Sequence, residues 1–170
     1  SAQTNVKSAS KTLIAAIIGA AIERRVLDGV DERIVDLLPD ALPPQRDPRL
    51  EQLTVGHLLS MQAGLRRTSG EHYGAWVASE NWVESALSQP MQERPGGRMR
   101  YSTGNSHLLS AMLERRANKA SYALANEWLE AAGIEVVSWM DDPQGIAFGG
   151  NQVAMRPAAL VALAELYRHD

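Results

Sequence analysis

A serine and a lysine three positions apart, Ser8 and Lys11, stand directly ahead of an apolar run from Thr12 to Ile22. Residues three apart are neighbours on a helix, so at the mouth of one the hydroxyl and the amine share a face. A serine is a weak nucleophile at neutral pH and needs a positioned base, and an amine held against apolar surface loses part of its preference for charge. Lys11 is placed to be that base. The unpaired N–H groups and positive dipole of a helix start favour negative charge developing beside Ser8, so a backbone donor there would be half of an oxyanion hole. Ser-x-x-Lys is nevertheless a short pattern: the serines and lysines of this chain give roughly a quarter of a match by chance.

Other titratable residues carry less. His57 lies inside an apolar run, where a hydrogen-bonded structural histidine is the commoner outcome. His72, His107 and His169 share no ligand spacing with it, so no metal site is expected. There is no cysteine, which excludes thiolate catalysis, disulfides and cysteine zinc sites. Gly149-Gly150 reads as a tight backbone path, since neither G-x-x-x-x-G-K nor G-x-G-x-x-G occurs, and no cofactor is expected. Trp76, Trp82, Trp128 and Trp139 read as core or interface fillers, and Arg66, Arg67, Arg115 and Arg116 as solvated faces.

The elements that must hold Ser8 and Lys11 are helical. Alanine and leucine are plentiful, phenylalanine occurs once and β-branched runs are few. At 170 residues the chain fits one domain. With 17 basic against 20 acidic residues and a pI near 5.8, there is no electrostatic case for nucleic acid or an anionic membrane. The apolar run 12–22 is too short to span a bilayer, so no membrane span is expected, and its all-round apolarity suits a helix at a domain centre. That helix should fray near Asp28-Gly29, followed by a short amphipathic turn from Asp31 to Leu38 and a proline-rich surface crossover at 42–48.

Thr54 is a plausible N-cap for a helix over Val55 to Gln62, stopped by Gly64. Residues 66–74 read as a loop, and Asn81 with Glu84 as a capping box for a helix to about Ser88. Long helices follow over Asn105 to Ala117, with Leu108, Leu109, Met112 and Leu113 as its stripe, and from Ser121 to near Gly133, with Leu124, Trp128 and Leu129 inward. Residues 134–154 suggest one or two short extended pieces around the turn at Asp141 to Gly145, and Pro157 opens a last helix through Tyr167.

Four stretches in one order resemble the serine hydrolases of the β-lactamase and penicillin-binding type. They are Ser8-Ala9-Ser10-Lys11; Leu53-Thr54-Val55-Gly56-His57-Leu58-Leu59-Ser60-Met61-Gln62-Ala63-Gly64-Leu65; Pro95-Gly96 leading to Tyr101-Ser102-Thr103; and Asp142-Pro143-Gln144-Gly145 with Gly149-Gly150. The likeness is to the class C-like branch that includes esterases and 6-aminohexanoate-dimer hydrolases. It implies a Ser8 acyl-enzyme, activation by Lys11 and proton transfer shared by Tyr101, on a small amide, ester or lactam, in the periplasm or envelope of a bacterium. Tyr101 also has a plainer reading, a packed aromatic after a turn.

Two departures accompany the resemblance. Thr103 stands where the second motif ends in asparagine, with Asn105 out of register, and the third motif, K-T-G or a histidine variant, is not found. The resemblance therefore implies a mainly α chain, the helical region of that fold as a single unit over 1–170. It would carry at most short strands near 134–154, without the large antiparallel sheet, cut from a longer hydrolase and inactive alone. Truncation would expose apolar faces on the first and last helices and favour homo-oligomers. The other reading is a non-catalytic helical binding module that keeps the scaffold.

Overall fold

A computed structural model describes residues 2–168, which leaves His169 outside the described residues. The architecture is mainly α, about 52 % helical, with a small three-stranded sheet. Its centre is α1 (Ser10–Glu23), where Leu13, Ile14, Ile17, Ile18 and Ala21 have no exposed surface. Covering that many branched side chains requires neighbours on several sides. One of them is α6 (Thr103–Ala117), in which every residue from 103 to 113 is buried. Small residues at 104–106 and 110 let α6 run through the interior, and Asn118 ends it in the left-handed conformation that asparagine tolerates.

Around these two lie α2 (Ile34–Leu37), α3 (Val55–Leu59), α4 (Tyr73–Val77), α5 (Trp82–Leu87), α7 (Ser121–Leu129) and α8 (Pro157–Arg168). Thr54 caps α3 in a reciprocal pair: its hydroxyl accepts from the His57 N–H, and the His57 ring accepts from the Thr54 N–H at 3.2 Å. His57 is thus a capping residue. Asn81 caps α5, accepting from both Val83 and Glu84 N–H at 3.1 Å.

Strands β2 (Val136–Trp139) and β3 (Val153–Met155) form where extended pieces are expected, but the sheet reaches beyond 134–154. A third strand, β1 (Thr4–Asn5), pairs antiparallel with β3, giving the order β1-β3-β2. Two exposed polar residues have no periodicity to announce a strand, and the partner is some 150 positions away. The 66–74 loop also needs correction, since a 3₁₀ turn at Gly70–His72 runs into α4. Only Trp76 of α4 is buried, so the segment is helical through one anchor. The helix after Thr54 ends at Leu59, because Met61 turns left-handed. The first helix ends at Glu23, where Arg25 does the same, ahead of Asp28-Gly29.

The largest side chains of α1 point inward, with Ile22 half-buried, and its exposed positions are Thr12, Gly19 and Glu23. α8 differs, leaving Val161 62 % exposed. Among the described residues no helix is long and apolar enough to cross a membrane.

Candidate functional site

Ser8 sits in a 3₁₀ turn, Lys7–Ala9, just ahead of α1. That turn is held from both sides. Upstream, Val6 N–H donates to Val153 O at 2.9 Å, continuing the β1 to β3 pairing. Lys7 adopts φ 49°, and its N–H donates to Asn5 Oδ1 at 2.9 Å. Downstream, the buried Ser10 hydroxyl donates to the Lys7 carbonyl. A left-handed, non-glycine residue is uncommon and costs energy, so this ladder of contacts is what keeps Ser8 exposed at the lip of the helix.

Lys11, on the first turn of α1, is half-buried and donates from Nζ to the Gly150 carbonyl at 2.8 Å. The glycine is required there. A Cβ at position 150 would lie 2.8 Å from the Thr103 methyl and 3.1 Å from Lys11 Nζ. The same ammonium stands 4.8 Å from the centre of the Tyr101 ring.

Tyr101 is held by the start of α6. Arg100 N–H donates to Met61 O at 2.8 Å, Thr103 N–H to Ser69 Oγ at 2.8 Å and Gly104 N–H to Thr68 Oγ1 at 2.8 Å. The Ser102 hydroxyl accepts from Thr68 N–H at 3.1 Å. Two side chains from a loop 34 and 36 residues earlier therefore satisfy the first N–H groups of α6. This explains why α6 begins at Thr103 rather than Asn105. Partial burial pushes the Tyr101 phenol up, but hydrogen bonding to Lys11 and then Ser8, with the Lys11 charge, outweighs it and holds the phenol below its ordinary value. The structure thus brings Ser8, Lys11 and Tyr101 together from two helix starts.

Thr103 is turned to other work: its hydroxyl lies 2.9 Å from Ser69 Oγ, and its methyl faces Gly150. The Asn105 amide is buried and reaches Met61 Sδ at 3.8 Å. Neither offers an amide to the Lys11 end of the site.

Sequence reasoning missed a second polar centre behind the first. His107 Nε2 lies 2.8 Å from Asp142 Oδ2, and neither side chain has exposed surface. Burial pushes the Asp142 carboxyl up, but the His107 hydrogen bond and the N–H groups of Ile146 and Gln144 outweigh it and hold it below the ordinary range. Trp76, Trp82 and Phe148 enclose the His107 ring edge to face. Trp139 donates from its indole to Phe148 O at 2.8 Å, and Trp128 lies under Arg24 at 5.3 Å. Arg66, Arg115 and Arg116 are engaged at the surface by Gln89, Asp40 and the pair Asp28 and Glu32. Two signals pointed to the buried centre: a histidine within the apolar stripe of α6, and an Asp-Pro-Gln-Gly turn too specific for a plain loop. No group of His, Cys, Asp and Glu among the described residues is arranged to hold a metal.

The sequence model of the family described as Beta-lactamase matches residues 3–140. Among curated proteins, "Probable fimbrial assembly protein FimD, serogroup H1" of Dichelobacter nodosus is 26 % identical over 127 residues, covering 72 % of this chain and 32 % of that protein. Among solved structures, EstCE1, titled a hydrolase with promiscuous acyltransferase activity, superposes with a TM-score of 0.76 at 20 % identity, over 98 % of this chain and 58 % of its own. A penicillin binding protein from Bacillus halodurans gives 0.73 at 18 % identity, over 98 % and 61 %. These structures share the fold. The chain spans about a third of the curated relative and about three fifths of each of the two solved structures.

Proposed function

The chain belongs to the beta-lactamase family, a family of serine hydrolases, and from that premise we propose a serine acyl hydrolase that works through an acyl-enzyme on Ser8. The observation that supports the reading is Lys11 Nζ standing 4.8 Å from the centre of the Tyr101 ring, with Lys11 and Ser8 both drawing the phenol below its ordinary value. Lys11 stabilises the phenolate, and the phenolate takes the Ser8 proton as Oγ attacks the carbonyl carbon of an amide, ester or lactam. The C–N or C–O bond breaks, and the leaving group receives that proton from Tyr101. Water, deprotonated by the same phenolate, then attacks the acyl-enzyme and returns Ser8 free. The Ser8 backbone N–H serves as one oxyanion donor.

In this proposal the second oxyanion donor and the remaining pocket wall come from a sheet outside these 170 residues, as part of a longer hydrolase, and the chain alone turns over slowly or not at all. The protein acts in the bacterial envelope; cell fractionation tests that placement. Acylation and turnover are measured side by side with a fluorophosphonate and a panel of ester, amide and lactam substrates. The expected outcome is a Ser8 adduct absent from Ser8→Ala, without sustained turnover.

A second reading has its own support. Thr103 spends its hydroxyl on Ser69, and the curated relative carries an assembly name rather than an enzyme name. A non-catalytic binding module follows from those facts, and complete inertness of Ser8 toward the fluorophosphonate decides in its favour.

A further inference from the structure

The His107 and Asp142 pair has no part in the acyl transfer above, yet its hydrogen bonds have a direction. Gly149 N–H donates to His107 Nδ1 at 3.4 Å. A backbone N–H only donates, so Nδ1 holds a lone pair, and Nε2 carries the proton and donates to Asp142 Oδ2 at 2.8 Å. A doubly protonated ring would set N–H against N–H at Gly149. The carboxylate is fixed as well, since its Oδ1 accepts from Gln144 N–H at 2.8 Å and Ile146 N–H at 3.0 Å. The aromatic enclosure keeps water from exchanging the two ring tautomers.

The amide that this ring holds belongs to Gly149, and the next residue is Gly150, whose carbonyl receives Lys11 Nζ. Gly149 is pressed against α6 so closely that a Cβ would run into the Ser106 carbonyl. One continuous path therefore links Asp142, the His107 tautomer, the Gly149 amide, the Gly150 carbonyl and Lys11.

We propose that His107 and Asp142 are positioning residues for Lys11: the tautomer set by Asp142 fixes the glycine pair whose second carbonyl holds the amine beside Ser8 and Tyr101. The catalytic meaning of that placement rests on the acyl-transfer reading; the placement itself does not. Asp142→Asn tests it with almost no change of volume. The amide oxygen still accepts from Gln144 and Ile146, but its NH₂ now faces Nε2, so the ring proton moves to Nδ1 and opposes the Gly149 N–H.

The experiment is nitrogen-15 NMR of the histidine rings, the Gly149 amide and the Lys11 Nζ in the full chain and in D142N. The expected result is an Nε2–H tautomer in the unsubstituted chain. In D142N the ring should carry Nδ1–H, the Gly149 amide should exchange roughly tenfold faster or more, and the Lys11 signal should move. A ring that merely fills space predicts no change at Gly149 or Lys11, and that result overturns the proposal. If D142N does not fold, the unsubstituted chain decides alone: Nε2–H with a protected Gly149 amide supports it, and Nδ1–H or an unprotected amide overturns it. If Lys11 answers to D142N while Ser8 resists acylation, the hydrolase reading fails and the positioning stands.

Discussion

Tyr101 is the residue whose state reports on the site most sensitively. Burial opposes its ionisation, while Lys11 and Ser8 favour it and prevail. Replacing Lys11 with methionine removes the positive charge and leaves the burial, so the Tyr101 phenol in K11M should titrate at higher pH than in the unsubstituted chain. Carbon-13 NMR of labelled tyrosine rings checks this, with Tyr73, Tyr122 and Tyr167 as internal references. Ser8 and Lys11 could be singled out in the sequence because their relation is local: two residues three positions apart at a helix entrance need no knowledge of the fold. The Gly150 carbonyl was not, since 139 positions separate it from Lys11 and a glycine pair signals only a tight path. His107 was set aside for lack of a metal-ligand partner, when its partner is a single carboxylate reached only after the 141–150 turn folds back onto α6.

The elements divide into those whose ends are written locally and those closed from elsewhere. α3 and α5 carry their own caps, Thr54 and Asn81, and their starts were readable. α6 was read two residues short because its first N–H groups are satisfied by Thr68 and Ser69 from the preceding loop. Ser69→Ala and Thr68→Ala should each cost about 0.5–2 kcal/mol in urea unfolding and disturb the Tyr101 signals next to the cap. Glycine positions make a second contrast. Gly19 lies within α1 with open space where a Cβ would go, so Gly19→Ala should stabilise the chain by about 0.5–1 kcal/mol. Gly149→Ala, driven into the Ser106 carbonyl, should destabilise it by about 1–3 kcal/mol, measured the same way.

For the molecule as a whole, the family and the mainly α class were legible because ordered motifs and an all-round apolar helix are strong signals. The sheet was only half visible, β1 being too short and polar to register. Truncation led to an expectation of apolar faces on the first and last helices. In α1 Leu13, Ile14, Ile17 and Ile18 are inside and Thr12, Gly19 and Glu23 are the exposed positions, whereas α8 still presents Val161. We propose association through α8: light scattering should give a mass above the 18.5 kDa of one chain, returning to it in Val161→Glu. A particle of one chain's mass at all concentrations would remove that proposal without touching the site.

If the phenol held by Lys11 is the base for Ser8, the rate of Ser8 acylation by a fluorophosphonate must follow the titration of Tyr101. A single adduct, mapped to Ser8, is expected, formed at a rate that rises with pH through an inflection below the ordinary phenol value. In K11M the rate should be about 10²–10⁴-fold lower at neutral pH, with the inflection moved upward. An adduct on another serine, no adduct on Ser8, or one pH profile shared by both proteins would contradict that role for Tyr101.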